Sequence, residues 1–232
     1  MTKKPTTTAK GEKQRVCKNN SSHVQKKSIP TIKPVKKVIP LLLAKMTATG
    51  ETGLKITWSK MPDAGGYDIF LSRCDYGKET YTPKKIMTIK GNKTFSWTKK
   101  DLKKKRAHKA VVKAWVMKNG KKQYIRTSSM VHAYTSGSTR LYTNSKSVTV
   151  KKTSISLTAG KSSKISAKVI KLRKLKMLMP ESHTPKLRYF SSNKKIATVT
   201  QKGKVTAEST GSCNIYVLAA NGARKTVNVT VK

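Results

Sequence analysis

Acid is scarce in this chain: nine Asp and Glu stand against 52 Lys and Arg in 232 residues, a formal net charge of +43. General acid–base catalysis needs carboxylates held together, and here they are few and scattered. Glu181 and Glu208 are the only acids after Asp101. Asp63 and Asp68 flank an AGGY turn, where an acidic residue is expected to cap local hydrogen bonds. Cysteine is scarcer still. Cys17, Cys74 and Cys213 form no CxxC and no Cys/His ligand spacing, which argues against a disulfide framework. The histidines, His23, His108, His132 and His183, are isolated from one another and are expected to be structural or exposed. DAGGYD lacks the lysine and following helix of a phosphate-cradling loop. The expectation is therefore no enzyme, with no catalytic residue, no metal ligand and no cofactor. No apolar run reaches the ~18 residues of a membrane span, so no membrane insertion is expected, and residues 1–28 show no secretory h-region.

What is present is alternation. Val227, Val229 and Val231 alternate with polar residues, as do Val205 and Ala207, which is the period of a half-buried strand. Cys213, Ile215 and Val217 share one face, which makes Cys213 a small buried hydrophobe. Further strands read in succession from Leu41, through GLKITWSK, GYDIFLSR, KKIMTIKG, TFSWTK, KAVVKAWVMKNGKKQYIRTS and MVHAYT. Between two of them Asn119 and Gly120 supply the pair that a two-residue type I′ hairpin requires, both with positive φ. The fold class is all-β, with two tandem sandwiches and a disordered basic N-terminal arm.

The domains expected are a polar arm and linker over 1–37, a first sandwich over 38–135, a polar junction over 136–146 and a second sandwich over 147–232. The arm is rich in Lys, Thr and Ser and buries too little apolar surface to offset chain entropy. IPTIKPVKKVIP reads as a semi-rigid linker. KLRKLKMLMPESHTPK, residues 171–186, is a long basic and apolar loop expected to pack on its own sandwich.

Two resemblances rest on these residues. LKITWSKMPDAGGYDIFLSR and LKKKRAHKAVVKAWVMKNGKKQYIRTSS resemble the fibronectin type III domain of Gram-positive surface proteins. Trp58 takes the place of the family's core tryptophan, Tyr67 lies on the strand facing it, and Leu102 is followed by His108 where the family has its corner tyrosine. SISLTAGKSSKISAKV, then LRYFSSNKKIATVTQKGKVTAESTGSCNIYVLAANG and KTVNVTV, resemble the bacterial immunoglobulin-like domain, group 2. There Tyr189, Ile196, Val199, Ile215 and Val217 are expected in the core. Both resemblances imply immunoglobulin-like sandwiches, and a cell-surface or cell-wall location.

The positive charge is not patched: 11 of the basic residues lie in 1–40, 23 in 41–146 and 18 in 147–232. Uniform lysine suits a surface working near anionic wall polymers or glycans, with nucleic acid held only non-specifically. Host surface proteins are a further expected partner, and the chain is expected to be a monomer. The one candidate ligand-binding pair is Trp115 with Tyr124, facing each other across the Asn119–Gly120 hairpin as a sugar-stacking surface. The function expected is a non-enzymatic adhesion or spacer module. An accessory carbohydrate-binding region of a larger exported hydrolase, a nucleic-acid-binding protein and a phage structural protein stay open as alternatives.

Overall fold

The computed structural model describes residues 3–6, 8–31, 40–74 and 82–232. It separates into two units, Met1–Ile39 and Pro40–Lys232.

The first unit departs from the disordered arm expected there. Strands β1 (Gly11–Val16) and β2 (Val24–Ile29) pair antiparallel, from Gly11 opposite Ile29 to Val16 opposite Val24. Their side chains are mostly exposed, so the backbone ladder rather than apolar burial holds them. Asn20 closes the reversal: its side-chain oxygen accepts from the Ser22 N–H at 3.0 Å and the Ser22 hydroxyl at 2.6 Å. The linker expected over IPTIKPVKKVIP lies largely in 32–39, outside the described residues.

Pro40–Lys232 is all-β and holds two sandwiches. In the first, β3 (Ala44–Thr49), β4 (Gly53–Trp58) and β7 (Ser96–Lys99) form one sheet in that order. The facing sheet runs β10-β8-β5-β6, from β5 (Gly66–Arg73), β6 (Lys84–Lys90), β8 (Ala107–Lys118) and β10 (Val131–Tyr134). Strand β9 (Lys121–Thr127) pairs with the second half of β8, and β10 with its first half. Asn119 at φ 50° and Gly120 at φ 73° turn β8 into β9, as the sequence predicts. Trp58 and Tyr67 are buried with ring centroids 5.4 Å apart. The Tyr67 hydroxyl accepts from the Met61 N–H and donates to Asn92, while Leu102 packs half-buried on this core.

The second sandwich is built from β11 (Ser145–Val150), β12 (Ser154–Leu157), β13 (Ser162–Lys164), β14 (Ala167–Lys171), β15 (Leu187–Ser191), β16 (Ala197–Val199), β17 (Lys204–Ala207), β18 (Gly211–Ala219) and β19 (Arg224–Val231). Its sheets run β12-β19-β18-β15 and β13-β17-β16, with β11 paired to β14. Strand β12 lies parallel to β19, with Ile155 beside Val229. Tyr189, Ile215 and Val217 are buried with Cys213, whereas Ile196 and Val199 pack half-buried at the rim.

Candidate functional site

Trp115 and Tyr124 are register partners across the hairpin, but they do not form an exposed pair. Trp115 retains 6% of its surface, against 43% for Tyr124. A bulge between Ala114 and Trp115 turns the indole onto the backbone of Gly65 and Gly66, where a Cβ would collide with it. Lys122 then covers the ring, its ammonium 4.5 Å from the centroid. The sugar-stacking surface expected from the sequence is closed on one side by glycine backbone and on the other by lysine.

The same face holds Asp68, fully buried, and not as a local turn cap. Its carboxylate accepts from Lys122 at 3.0 Å, Tyr124 at 2.7 Å and Thr88 at 2.8 Å, tying β5 to β6 and β9. Burial pushes the Asp68 carboxyl up, but these hydrogen bonds and the Lys122 charge outweigh it and hold it below the usual carboxylate range. Burial and then the Asp68 carboxylate push the Tyr124 phenol up to about 12. A raised phenol contributes stability that is complete below its unfolded value of about 10 and lost as pH rises through the folded value. Asp68→Asn is expected to move the Tyr124 titration, read by phenolate absorbance, down toward 10. An unchanged titration would contradict the network.

Between the two sandwiches lies a second cluster. Residues 136–146, expected to be a flexible junction, are instead pinned: the Tyr134 N–H donates to the Asn144 side-chain oxygen at 2.8 Å, and the Asn144 amide returns a bond to the Tyr134 carbonyl at 2.9 Å. Tyr142 stacks on Tyr134 at 6.2 Å, while Leu141 stays exposed. Across the junction the N–H of Met46 donates to Asn221 at 2.8 Å and that of His132 to Ala220 at 2.9 Å. Arg188 donates to the carbonyls of Met130, Ala219 and Ala220, and burial pushes its guanidinium down to about 10.

The long loop between β14 and β15 does not stay on its own sandwich. Its Met177 bridges to Tyr142, and its Met179 is buried with Cys74, Ala107 and Tyr134. The chain had to cover these residues because they face away from the first core. His132 sits between Val131 and Ala133, both fully buried in that core, and so points to the opposite side of the sheet. The loop and the second sandwich leave it only 8% exposed.

Here Cys74, His132 and His183 meet, their donor atoms all within 4.8 Å of one another. Cys74 Sγ contacts His183 Nε2, and the two imidazoles stack edge-on at 5.0 Å. His132 Nδ1 is buried without a hydrogen-bond partner. Burial, reinforced by His183 and the Arg188 and Lys109 cations, pushes His132 down to about 3. The sequence had treated these histidines as isolated. Cys74 and His183 are 109 residues apart, and strand register and loop path bring them together. His108, buried at 3%, faces Arg106 instead, and Cys17 and His23 lie in the N-terminal hairpin.

Strands β11–β19 form three sheets, with β12 parallel to β19 and the chain ending in the β18–β19 hairpin. Residues 145–231 match the bacterial Ig-like domain (group 2). The group 2 domain thus begins at the first residue of β11, Ser145, whose carbonyl accepts from Asn221. No curated protein matches the chain. Among solved structures the chain is similar to the FN5 domain of Drosophila Lar, at 18% identity and TM-score 0.32, covering 42% of this chain and 97% of that one. It is also similar to a fibronectin type III domain derived from the human KIAA0970 protein, at 17% identity and TM-score 0.31, covering 42% and 74%. A fibronectin type III domain of human collagen XX matches at 13% identity and TM-score 0.30, covering 44% and 97%. The match to the bacterial Ig-like domain (group 2) thus spans the second sandwich, β11 to β19. The group 2 domain is a non-catalytic domain type, and such domains occur in bacterial surface proteins. Among the described residues no helix is long and apolar enough to cross a membrane.

Proposed function

We propose that the chain is a non-enzymatic spacer of a bacterial surface, holding two sandwiches in fixed succession and presenting lysine-rich faces to anionic wall polymers or acidic glycans. The junction carries this reading. Backbone bonds from Met46 and His132 to Asn221 and Ala220, the Asn144 clamp and the Arg188 bond to the Met130 carbonyl all restrain the hinge that a flexible linker would leave open. A tethering role is served by such restraint, because a stiff module transmits reach where a floppy one collapses.

Recognition of the polymer rests on charge rather than on a pocket. With +43 spread along the chain, each anionic repeat meets several ammonium groups, and bound counterions are released on contact. Titration of the chain with lipoteichoic acid and with heparin at two salt concentrations tests this. The expected result is a steep, similar loss of affinity for both polymers as salt rises, on the order of 100-fold between 50 and 200 mM. Salt-insensitive binding, or selective binding of a neutral glycan, would overturn it.

A further inference from the structure

We propose that Cys74, His132 and His183 form a binding site for a thiophilic metal ion of the zinc and copper(I) class, which clips the group 2 domain onto the fibronectin type III-like sandwich. One thiol and two imidazoles from three separate elements converge: Cys74 follows β5, His132 lies on β10, and His183 sits in the 180–184 turn of the long loop. Their donor atoms lie within 4.8 Å of one another. Zinc bond lengths of about 2.3 Å to sulfur and about 2.0 Å to nitrogen place bound donors about 3.5 Å apart, a spacing reached by rotamer changes that part Cys74 from His183 and adjust His132.

Three features select a soft or borderline ion. Among the described residues no acidic side chain joins the cluster, whose donors are sulfur and nitrogen rather than the oxygen that magnesium and calcium require. The buried Met179 packs in one cluster with Cys74 and adds a thioether to the surroundings. The neighbouring Arg188 and Lys109 penalise excess positive charge, and one thiolate with two neutral imidazoles offsets a univalent ion or leaves a divalent one with a single net charge. Binding forms a sulfur–metal bond as the Cys74 thiol gives its proton to solvent, and the metal keeps its oxidation state. Cys74 is fully buried, which argues against the competing use of a Cys–His pair as a nucleophile that substrate must reach. The His132 Nδ1 is buried without a hydrogen-bond partner, and a metal ion bound at that nitrogen would satisfy it.

The site goes beyond the spacer reading and can fail without it, since polymer binding by surface lysine does not involve these residues. The test uses the full chain carrying Cys17→Ser, because the exposed Cys17 beside His23 offers a competing thiol. Titration with Co²⁺ as a spectroscopic substitute is expected to give one equivalent with a thiolate-to-metal charge-transfer band, displaced by Zn²⁺. A parallel arm measures Cu⁺ retention against a chelator, and tighter Cu⁺ than Zn²⁺ binding assigns the ion. His183→Gln lies on a partly exposed turn and is expected to fold, with affinity reduced more than about 100-fold. Cys74→Ala is expected to abolish the band. Absence of stoichiometric binding of Co²⁺, Zn²⁺ and Cu⁺, or equal binding by His183→Gln with an unaltered circular-dichroism spectrum, would overturn the proposal.

Discussion

Gly222→Val is expected to open the junction while leaving both sandwiches folded. Gly222 has φ +81°, a conformation that a β-branched residue adopts only under strain, and an added Cβ would overlap the Ala44 carbonyl and the Lys45 backbone. Neither partner is a flexible side-chain tip, so the clash is relieved only by moving one sandwich away from the other. The strain and the lost contacts together cost about 2–4 kcal/mol. Hydrogen exchange at the Met46 and His132 amides, which donate to Asn221 and Ala220, is expected to accelerate, and the radius of gyration in small-angle scattering to rise. Gly50→Ala is the control. Gly50 also has a positive φ, +66°, but nothing lies within 4 Å of its Cβ position, so only the backbone strain of about 1 kcal/mol applies and the junction stays closed. Equal exchange and equal size in Gly222→Val and Gly50→Ala would show that the junction does not depend on this contact.

Trp115→Ala is expected to destabilise the first sandwich by about 3–5 kcal/mol, measured as a shift in the urea midpoint. The indole fills the space over Gly65 and Gly66, and the Lys122 ammonium rests on its outer face, so truncation leaves a cavity and an unsupported cation. Tyr124→Ala removes a half-exposed ring and one hydrogen bond to Asp68, and is expected to cost about 1 kcal/mol. This ordering separates a structural tryptophan from a sugar platform. If Trp115→Ala kept its urea midpoint and lost affinity for a neutral glycan, the buried role would be wrong and a stacking site would be restored.

Much of the architecture was legible because strand periodicity is local. Asn119 and Gly120 announced the β8–β9 reversal, since a type I′ turn needs two residues that tolerate positive φ, and both show it. Alternation placed Cys213, Ile215 and Val217 on one face, and all three are buried. Burial also raises the Cys213 thiol above its ordinary value, in keeping with an inert core residue. The N-terminal hairpin was missed because its pairing depends on backbone bonds between polar strands, which leave no hydrophobic period to read.

The candidate site was hidden for a different reason. Trp115 and His132 both lie on the side of the sheet opposite the core, and period two identifies that side correctly. Exposure does not follow from it. The Gly65–Gly66 turn and Lys122 cover Trp115, and the long loop of the group 2 domain covers His132 and Cys74. The apolar Met177–Met179 stretch was the available signal that something required covering, but its sequence does not name the surface it covers.

The amino-acid sequence by itself determined two β-sandwiches, their turns, their inward faces and a cationic exterior, because each follows from neighbours a few residues apart. Only the tertiary structure decided which outward side chains stay in water and which meet across the junction. That outcome depends on strand register and loop path, which bring Cys74, His132 and His183 together from positions no local pattern connects.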